Sequence, residues 1–308
     1  MSHQTKPLPQ PDSDTNEYLQ QQRQVVDDYL EEFLPRADSY PEVLHEAMRY
    51  SVFAGGKRIR PVLALATGEA LEGEFQRLIY FACSLELIHT YSLVHDDLPA
   101  MDDDDFRRGR AATHKQFGEG VAILAGNALL THGFQLLGSI PGPPELAEIK
   151  LALINRMCRS IGSSRGMLGG QVVDLVTQGQ PFSRDQLEYI HSSKTGALIQ
   201  ASVCGAAVLS NASEECSQRL NVFGSSIGLA FQIVDDILDV VGSSQEMGKS
   251  SGKDSERRKA TYPEMYGMEN SRKIAYELVD NAIQEIGFLG ERGERLKEIA
   301  QFISVRRF

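Results

Sequence analysis

The stretch IGLAFQIVDDILD, Ile227 to Asp239, decides the fold class. Ile227, Phe231, Val234 and Leu238 recur at helical spacing and fall on one stripe. Val43, Ala47 and Tyr50 mark another such stripe, and alternating β-branched runs bounded by hairpin turns are essentially absent. The breakers are far apart: Gly55-Gly56, Leu98-Pro99, Pro141 to Pro144, Gly169-Gly170, and a polar stretch from Gly242 to Lys259. Between them lies room for helices of about four to six turns. No Ser/Gly or Pro-rich linker interrupts the middle. One helical domain is therefore expected over residues 17–308, after a disordered, polar and Pro-rich tail at 1–16.

The chain has 308 residues, of which 42% are apolar, enough for a large core. A net charge of −11 argues against a nucleic-acid partner, which needs a basic face. Acidic clusters can still reach phosphates through bridging Mg²⁺. Cys83, Cys158, Cys204 and Cys216 form no CxxC pair and read as reduced, mostly buried residues of a cytoplasmic protein. Met1 to Asn16 lacks the apolar core of a signal peptide, and no uninterrupted apolar run approaches the ~20 residues of a membrane span.

Two acidic clusters carry the chemistry. An apolar helix ends in Val94-His95-Asp96-Asp97, and a second is read to end in Ile233-Val234-Asp235-Asp236, an echo suggesting two halves that face one another. After Asp96 and Asp97 come Leu98-Pro99-Ala100-Met101, then Asp102 to Asp105 and the cations Arg107 and Arg108. Carboxylates at a helix C-terminus oppose the macrodipole, and a cation is the remedy. The run lacks the Gly and Glu positions of an EF-hand loop. Ala100 takes the place four residues after Asp96, so Pro99 and the following residues must bulge the backbone for Asp102 to face Asp96. In the second cluster Asp235 and Asp239 lie one above the other on a helix face, with Gln232 one turn earlier. Oxygen ligands in ones and twos are how Mg²⁺ is held. A third element, Gly55-Gly-Lys-Arg-Ile-Arg-Pro61, offers three cations ahead of an N1-type proline and suits an anion, without the spacing of a nucleotide P-loop. Two phosphate-bearing substrates follow, one held through metals and one by direct cations.

The segment HDDLPAMDDDDFRRG (His95–Gly109), with GGKRIRP, Lys194-Thr195-Gly196, Gln232 and DDILD, resembles the bacterial farnesyl/geranylgeranyl diphosphate synthase family from about Tyr50 to the C-terminus. The resemblance implies an all-α, single-domain bundle of roughly ten or more helices around a central cavity, and a homodimer. It implies a prenyltransferase that condenses isopentenyl diphosphate with dimethylallyl and geranyl diphosphates. Asp96, Asp102 and Asp235 would bind Mg²⁺, about three ions when substrate is bound. Asp239 would join them directly or through water, as would Asp97 and Asp236 through water. Arg107 would contact the allylic diphosphate, while Lys57, Arg60, His89 and Arg108 would hold isopentenyl diphosphate. Lys194, Thr195 and Gln232 would line the allylic cation. Lys249 and Lys259 would lie in a closing segment, and Gln171 and Asp174 of GGQVVD would support the site. Tyr91, five residues before Asp96, would limit the chain where the smaller Ser92 could not, favouring farnesyl over geranylgeranyl diphosphate. The resemblance leaves three alternatives. A longer-chain synthase stays open on Tyr91, while a non-catalytic subunit or a terpene cyclase fits poorly with two intact Asp motifs.

Overall fold

A computed structural model describes residues 13–245 and 260–305. The all-α expectation holds. In chain order the helices are α1 (Ser13–Phe33), α2 (Glu42–Val52), α3 (Ile59–Ala70), α4 (Phe75–Asp96), α5 (Thr113–Phe117), α6 (Glu119–Gly138), α7 (Ala147–Ile161), α8 (Met167–Thr177), α9 (Arg184–Ile190), α10 (Ala197–Leu209), α11 (Glu214–Gln245), α12 (Tyr262–Tyr266), α13 (Met268–Glu285) and α14 (Glu294–Val305). A π-helical segment, His191–Gly196, joins α9 to α10.

Helices that are apolar all round belong in the middle. In α3 and α10 nearly every side chain is buried, and in α4 most are. On one side a core gathers α4 with α1, α2, α6 and α7 around Phe81, Leu85, Ile88 and Leu129. On the other, Phe223 and Ile227 of α11 pack with α13 and α14. Both cores draw on α3 and α10: Ala64 and Leu198 face the first, Leu63 and Ile199 the second. These two helices are the shared wall that makes the bundle one domain.

Four local readings change. Ser13 to Asn16, read as the end of the tail, are helical, because Asp14 pairs with Arg295 at 2.9 Å and Thr15 is buried. Residues 1–12 lie outside the described residues. The helix carrying the second acidic cluster does not stop at Asp236: Ile237 is buried against Ala260 and Tyr262, and α11 runs on to Gln245. Gly169 and Gly170 sit inside α8 rather than breaking it. Their missing side chains let helices touch, since a Cβ on Gly170 would overlap the backbone of Lys194. Finally, Pro61 is at N3 of α3, not N1, and still needs no N–H there.

The loop before α3 is fixed by Arg58. Its backbone takes a left-handed φ of 51°, which turns the side chain inward. The guanidinium donates to Glu86 at 2.6 Å, to Asp27 at 2.8 Å and to the Val52 carbonyl at 2.7 Å. Arg58 and Glu86 side chains are only 1% and 2% exposed, so neither charge has water to fall back on. Glu86→Ala is expected to cost about 3–5 kcal/mol in urea unfolding followed by circular dichroism, because it strands the Arg58 cation. The Arg58→Met/Glu86→Leu pair is expected to recover most of that. A loss below about 1 kcal/mol for Glu86→Ala, as at a surface pair, would contradict the anchoring role.

Candidate active site

Helix α4 ends at Asp96, and the chain folds back at once. The Asp102 N–H donates to the Asp96 carbonyl at 2.8 Å, and the Asp104 N–H to the Asp97 carbonyl at 3.2 Å. The bulge through Leu98 to Met101 thus returns Asp102 to Asp96, as the spacing required. Burial pushes the Asp96 carboxyl up to about 6, with Asp102 and Asp97 adding to the rise and Lys194 and Arg107 opposing it. Asp97, 2% exposed, takes a different part. It accepts from Arg107 Nε at 2.9 Å and from a second guanidinium nitrogen, while Arg107 also lies 3.6 Å from Asp104. Arg107 therefore has one edge of its fork tied to Asp97.

Arg107 and Arg108 are carried by a two-stranded hairpin, β1 (Phe106–Arg107) and β2 (Arg110–Ala111), a small β element that the sequence reading did not include. Its turn residues, Arg108 and Gly109, have φ of 53° and 78°, the doubly left-handed geometry that tight hairpins use. The Arg108 guanidinium donates to the Gly55 carbonyl and lies over Gly56, where any Cβ would collide with it. The Gly-Gly pair is thus a seat for Arg108. Next to it Lys57 is exposed, its ammonium 5.9 Å from the Phe302 ring.

His89 lies behind this loop. Burial first, then the charges of Arg60, Arg108, Arg58 and Arg107, hold its imidazole well below the usual range, so it is a neutral hydrogen-bonding ring. The structure therefore brings together Arg60, His89 and Arg108 beside the Lys57 loop. Arg58, counted from sequence among the three cations of that loop, is instead bound to Glu86 and Asp27 and faces away. Among the described residues Arg108 has no carboxylate partner. A concentration of cations of this kind calls for an anion.

The opposite wall is the π-helical segment against α8 and α11. Gly228 of α11 lets the two backbones meet, since a Cβ there would stand 2.9 Å from the Gly196 Cα. Lys194 donates to Asp174 at 2.6 Å, within electrostatic reach of Asp96. Asp174 of the GGQVVD motif is thus the residue that aims Lys194, and Gln171 is buried beside it on α8. Thr195 Oγ1 donates to Gln232 Oε1 at 2.6 Å, and Gln232 Nε2 donates to Asp236 Oδ1 at 3.1 Å. Asp236 is 5% exposed and accepts from the Tyr262 N–H at 2.9 Å and from His191 Nε2 at 2.7 Å. His191 Nδ1 lies 3.0 Å from the Leu187 carbonyl, so both ring nitrogens are engaged and the ring is fixed in place. Asp236 is consequently an anchor for Gln232. Asp235 is half-buried and Asp239 exposed on the neighbouring face. Sequence reading missed His191 and Tyr262, because neither sits in a motif and only the fold brings them to Asp236. Lys249 and Lys259 lie outside the described residues.

Tyr91 is 4% exposed and belongs to the core built around α4, with its ring edge-on to His95 at 5.6 Å. Burial and then the Asp96 charge push its hydroxyl up to about 12. Ser92 is turned back on its own helix, donating to the His89 carbonyl at 2.8 Å.

Carboxylates gathered at the end of α4 and cations crowded around the Lys57 loop are an arrangement that suits anionic substrates. The donors of the acidic wall are carboxylate oxygens alone, the set that suits Mg²⁺ rather than softer metals. The chain belongs to the polyprenyl synthetase family, whose sequence pattern matches residues 41–299. It is 40% identical over 291 residues to the farnesyl diphosphate synthase of Geobacillus stearothermophilus, covering 94% of this chain and 97% of that one. It is 42% identical over 291 residues to the geranylgeranyl diphosphate synthase of Cyanophora paradoxa, covering 93% and 94%. A crystal structure of an FPP/GFPP synthase from Zymomonas mobilis superposes with a TM-score of 0.83 at 34% identity, covering 95% of this chain and 99% of that one. The chain is thus a prenyltransferase of a metal-dependent family that uses allylic diphosphates and isopentenyl diphosphate.

The raised Asp96 carboxyl has a consequence for stability. Its folded pKa of about 6 exceeds its ordinary 3.8, so ionising it costs stability that is intact below pH 4 and lost as pH rises through 6. In metal-free protein, Asp96→Asn is expected to raise stability at pH 8 by on the order of 2 kcal/mol, and the gain is expected to vanish towards pH 4. Thermal unfolding in chelator across that range checks it. A variant less stable than the parent at pH 8 would contradict the assignment.

Proposed function

We propose that this prenyltransferase joins isopentenyl diphosphate to dimethylallyl and then geranyl diphosphate, releasing (E,E)-farnesyl diphosphate. The observation that carries the reading is the segregation of charge within one site, with Asp96 and Asp102 on one wall and Arg60, His89 and Arg108 on another. In this reading Asp96, Asp102 and Asp235, with Asp239, would hold about three Mg²⁺, whose charge would supply neutralisation of the allylic diphosphate as a leaving group. Lys194 and Arg107, aimed by Asp174 and Asp97, meet the same diphosphate. The Thr195 hydroxyl proton is committed to Gln232, so its lone pairs remain for the allylic cation. Lys57, Arg60, His89 and Arg108 fix isopentenyl diphosphate so that its double bond attacks that cation. The proton lost from the new chain goes to the departing diphosphate, and no separate side-chain base is needed.

Chain length rests on Tyr91. A ring about 7.5 Å below Asp96 along α4, buried and braced by His95, closes the space beneath the allylic site. Incubation with Mg²⁺, isopentenyl diphosphate and each allylic primer, with the prenols identified, is expected to give the fifteen-carbon product and nothing in chelator. Tyr91→Ala supplied with farnesyl diphosphate is expected to make longer chains. Efficient elongation of farnesyl diphosphate by the parent would instead assign a geranylgeranyl synthase.

The basic wall has its own test. Lys57→Ala is expected to raise KM for isopentenyl diphosphate at least tenfold, about 1.4 kcal/mol, while KM for the allylic primer changes little. Equal effects on both would place the loop at the other substrate.

The same reading includes a homodimer in the cytoplasm. Helix α6 is long and apolar enough to cross a bilayer by composition, yet it packs on α4, α2 and α7 and carries Asn127, His132 and Gln135. Ile123, Leu124, Leu168, Val172 and Val176 on α6 and α8 are exposed, and a second copy would cover such a face. Light scattering at the mass of one chain would exclude the dimer. The four thiols are free and three are buried, which suits a reducing compartment.

A further inference from the structure

The four consecutive aspartates after Met101 divide between two faces. Asp102 is buried against Asp96, and Asp104 turns towards Arg107. Asp103 and Asp105 point the other way and are exposed. Asp103 has a left-handed φ of 43°, so the chain reverses there. Opposite them stands His114 on α5, and one ligand atom from each of the three residues lies within 4.8 Å of the others.

His114 is the unexpected member. It is 5% exposed, and neither ring nitrogen has a hydrogen-bond partner. Buried imidazole nitrogens left without partners are costly and call for an explanation. The ring cannot readily turn out to water, because its segment is tied down on both sides. Tyr50 donates to the Ala111 carbonyl at 2.8 Å, and the Thr113 and Ser51 hydroxyls are 2.8 Å apart. The Asp105 carbonyl accepts from the Ala112 N–H at 2.8 Å, which fixes the loop against α5. Lys115 occupies one Asp105 oxygen at 2.8 Å, but its side chain is 45% exposed and free to swing away.

We propose that Asp103, Asp105 and His114 form a cation site separate from the diphosphate cleft, taking a dication that accepts an imidazole nitrogen, such as Zn²⁺ or Mn²⁺, in preference to Mg²⁺. Two carboxylates satisfy many dications, but an imidazole selects transition metals, because Mg²⁺ prefers oxygen and retains its water. The ligand atoms need only modest side-chain rotation, since Asp103 and Asp105 face solvent. The ion completes the buried ring and offsets two carboxylates that otherwise repel. It also ties the loop at 103–105 to α5 on either side of the hairpin that carries Arg107 and Arg108. That last consequence rests on the function proposed above; the site itself does not.

The test uses the full chain without substrate, in an Asp96→Asn/Asp235→Asn background that silences the cleft. Titration with Mn²⁺ is expected to show one ion per chain that tenfold more Mg²⁺ does not displace, with nitrogen coupling from an imidazole in pulsed electron paramagnetic resonance. His114→Gln is expected to weaken binding at least tenfold and abolish the coupling. Asp105→Asn, at an exposed position that leaves the fold alone, is expected to weaken it likewise. Absence of that ion from the background protein, easy displacement by Mg²⁺, or unchanged binding in Asp105→Asn would each overturn the proposal. No turnover is read, so the outcome is separate from the prenyltransferase assignment.

Discussion

Asp96 carries a carboxylate at the C-terminus of a buried helix, where burial, the helix dipole and the nearby Asp102 and Asp97 all oppose its ionisation. The neighbouring side chains are arranged around that opposition. Nearby cations exist but are tied elsewhere: Arg107 to Asp97 and Lys194 to Asp174. Each of these pairs fixes a cation near Asp96, where it opposes the rise in that carboxyl without cancelling it. Under the proposed function, a hard dication arriving with a diphosphate would relieve the remaining cost of ionising Asp96.

The rest of the fold ties the two sides of the bundle together. Helices α3 and α10 belong to both cores, so the α4 side and the α11 side cannot move apart without opening the interior. The Arg58–Glu86 pair locks the basic loop onto α4, three turns before Asp96, and so couples the basic wall to the acidic one. On the far side, Gly170 and Gly228 bring the π-helical segment close enough for Lys194 and Thr195 to reach the site. Asp236, held by His191 and the Tyr262 N–H, orients Gln232 and anchors the chain as it re-enters the described residues after α11.

Most of the site could be read from sequence because its residues are close in sequence or periodic. The return of Asp102 to Asp96 follows from the helix ending and the Pro99 bulge, and Asp235 and Asp239 share a face by spacing alone. What sequence could not show depends on backbone direction or on distant partners. Arg58 looks like its neighbours Lys57 and Arg60, yet a left-handed φ turns it into the core. Gly169-Gly170 has the composition of a breaker, but packing against Lys194 keeps it helical. The polar stretch ending at Asn16 gains its helix through Arg295, far along the chain. His191 and His114 carry no motif, and their settings appear only once the helices are assembled.

The central claim is that one diphosphate is held through dications by Asp96, Asp102 and Asp235, and the other directly by the basic wall. Calorimetric binding of a non-ionisable thio-analogue of geranyl diphosphate and of isopentenyl diphosphate, each with and without Mg²⁺, tests it most directly. The expected result is that the allylic analogue binds only with Mg²⁺, while isopentenyl diphosphate binds the metal-free protein with little change. Tight binding of the allylic analogue in chelator, or an equal Mg²⁺ requirement for both ligands, would contradict the account.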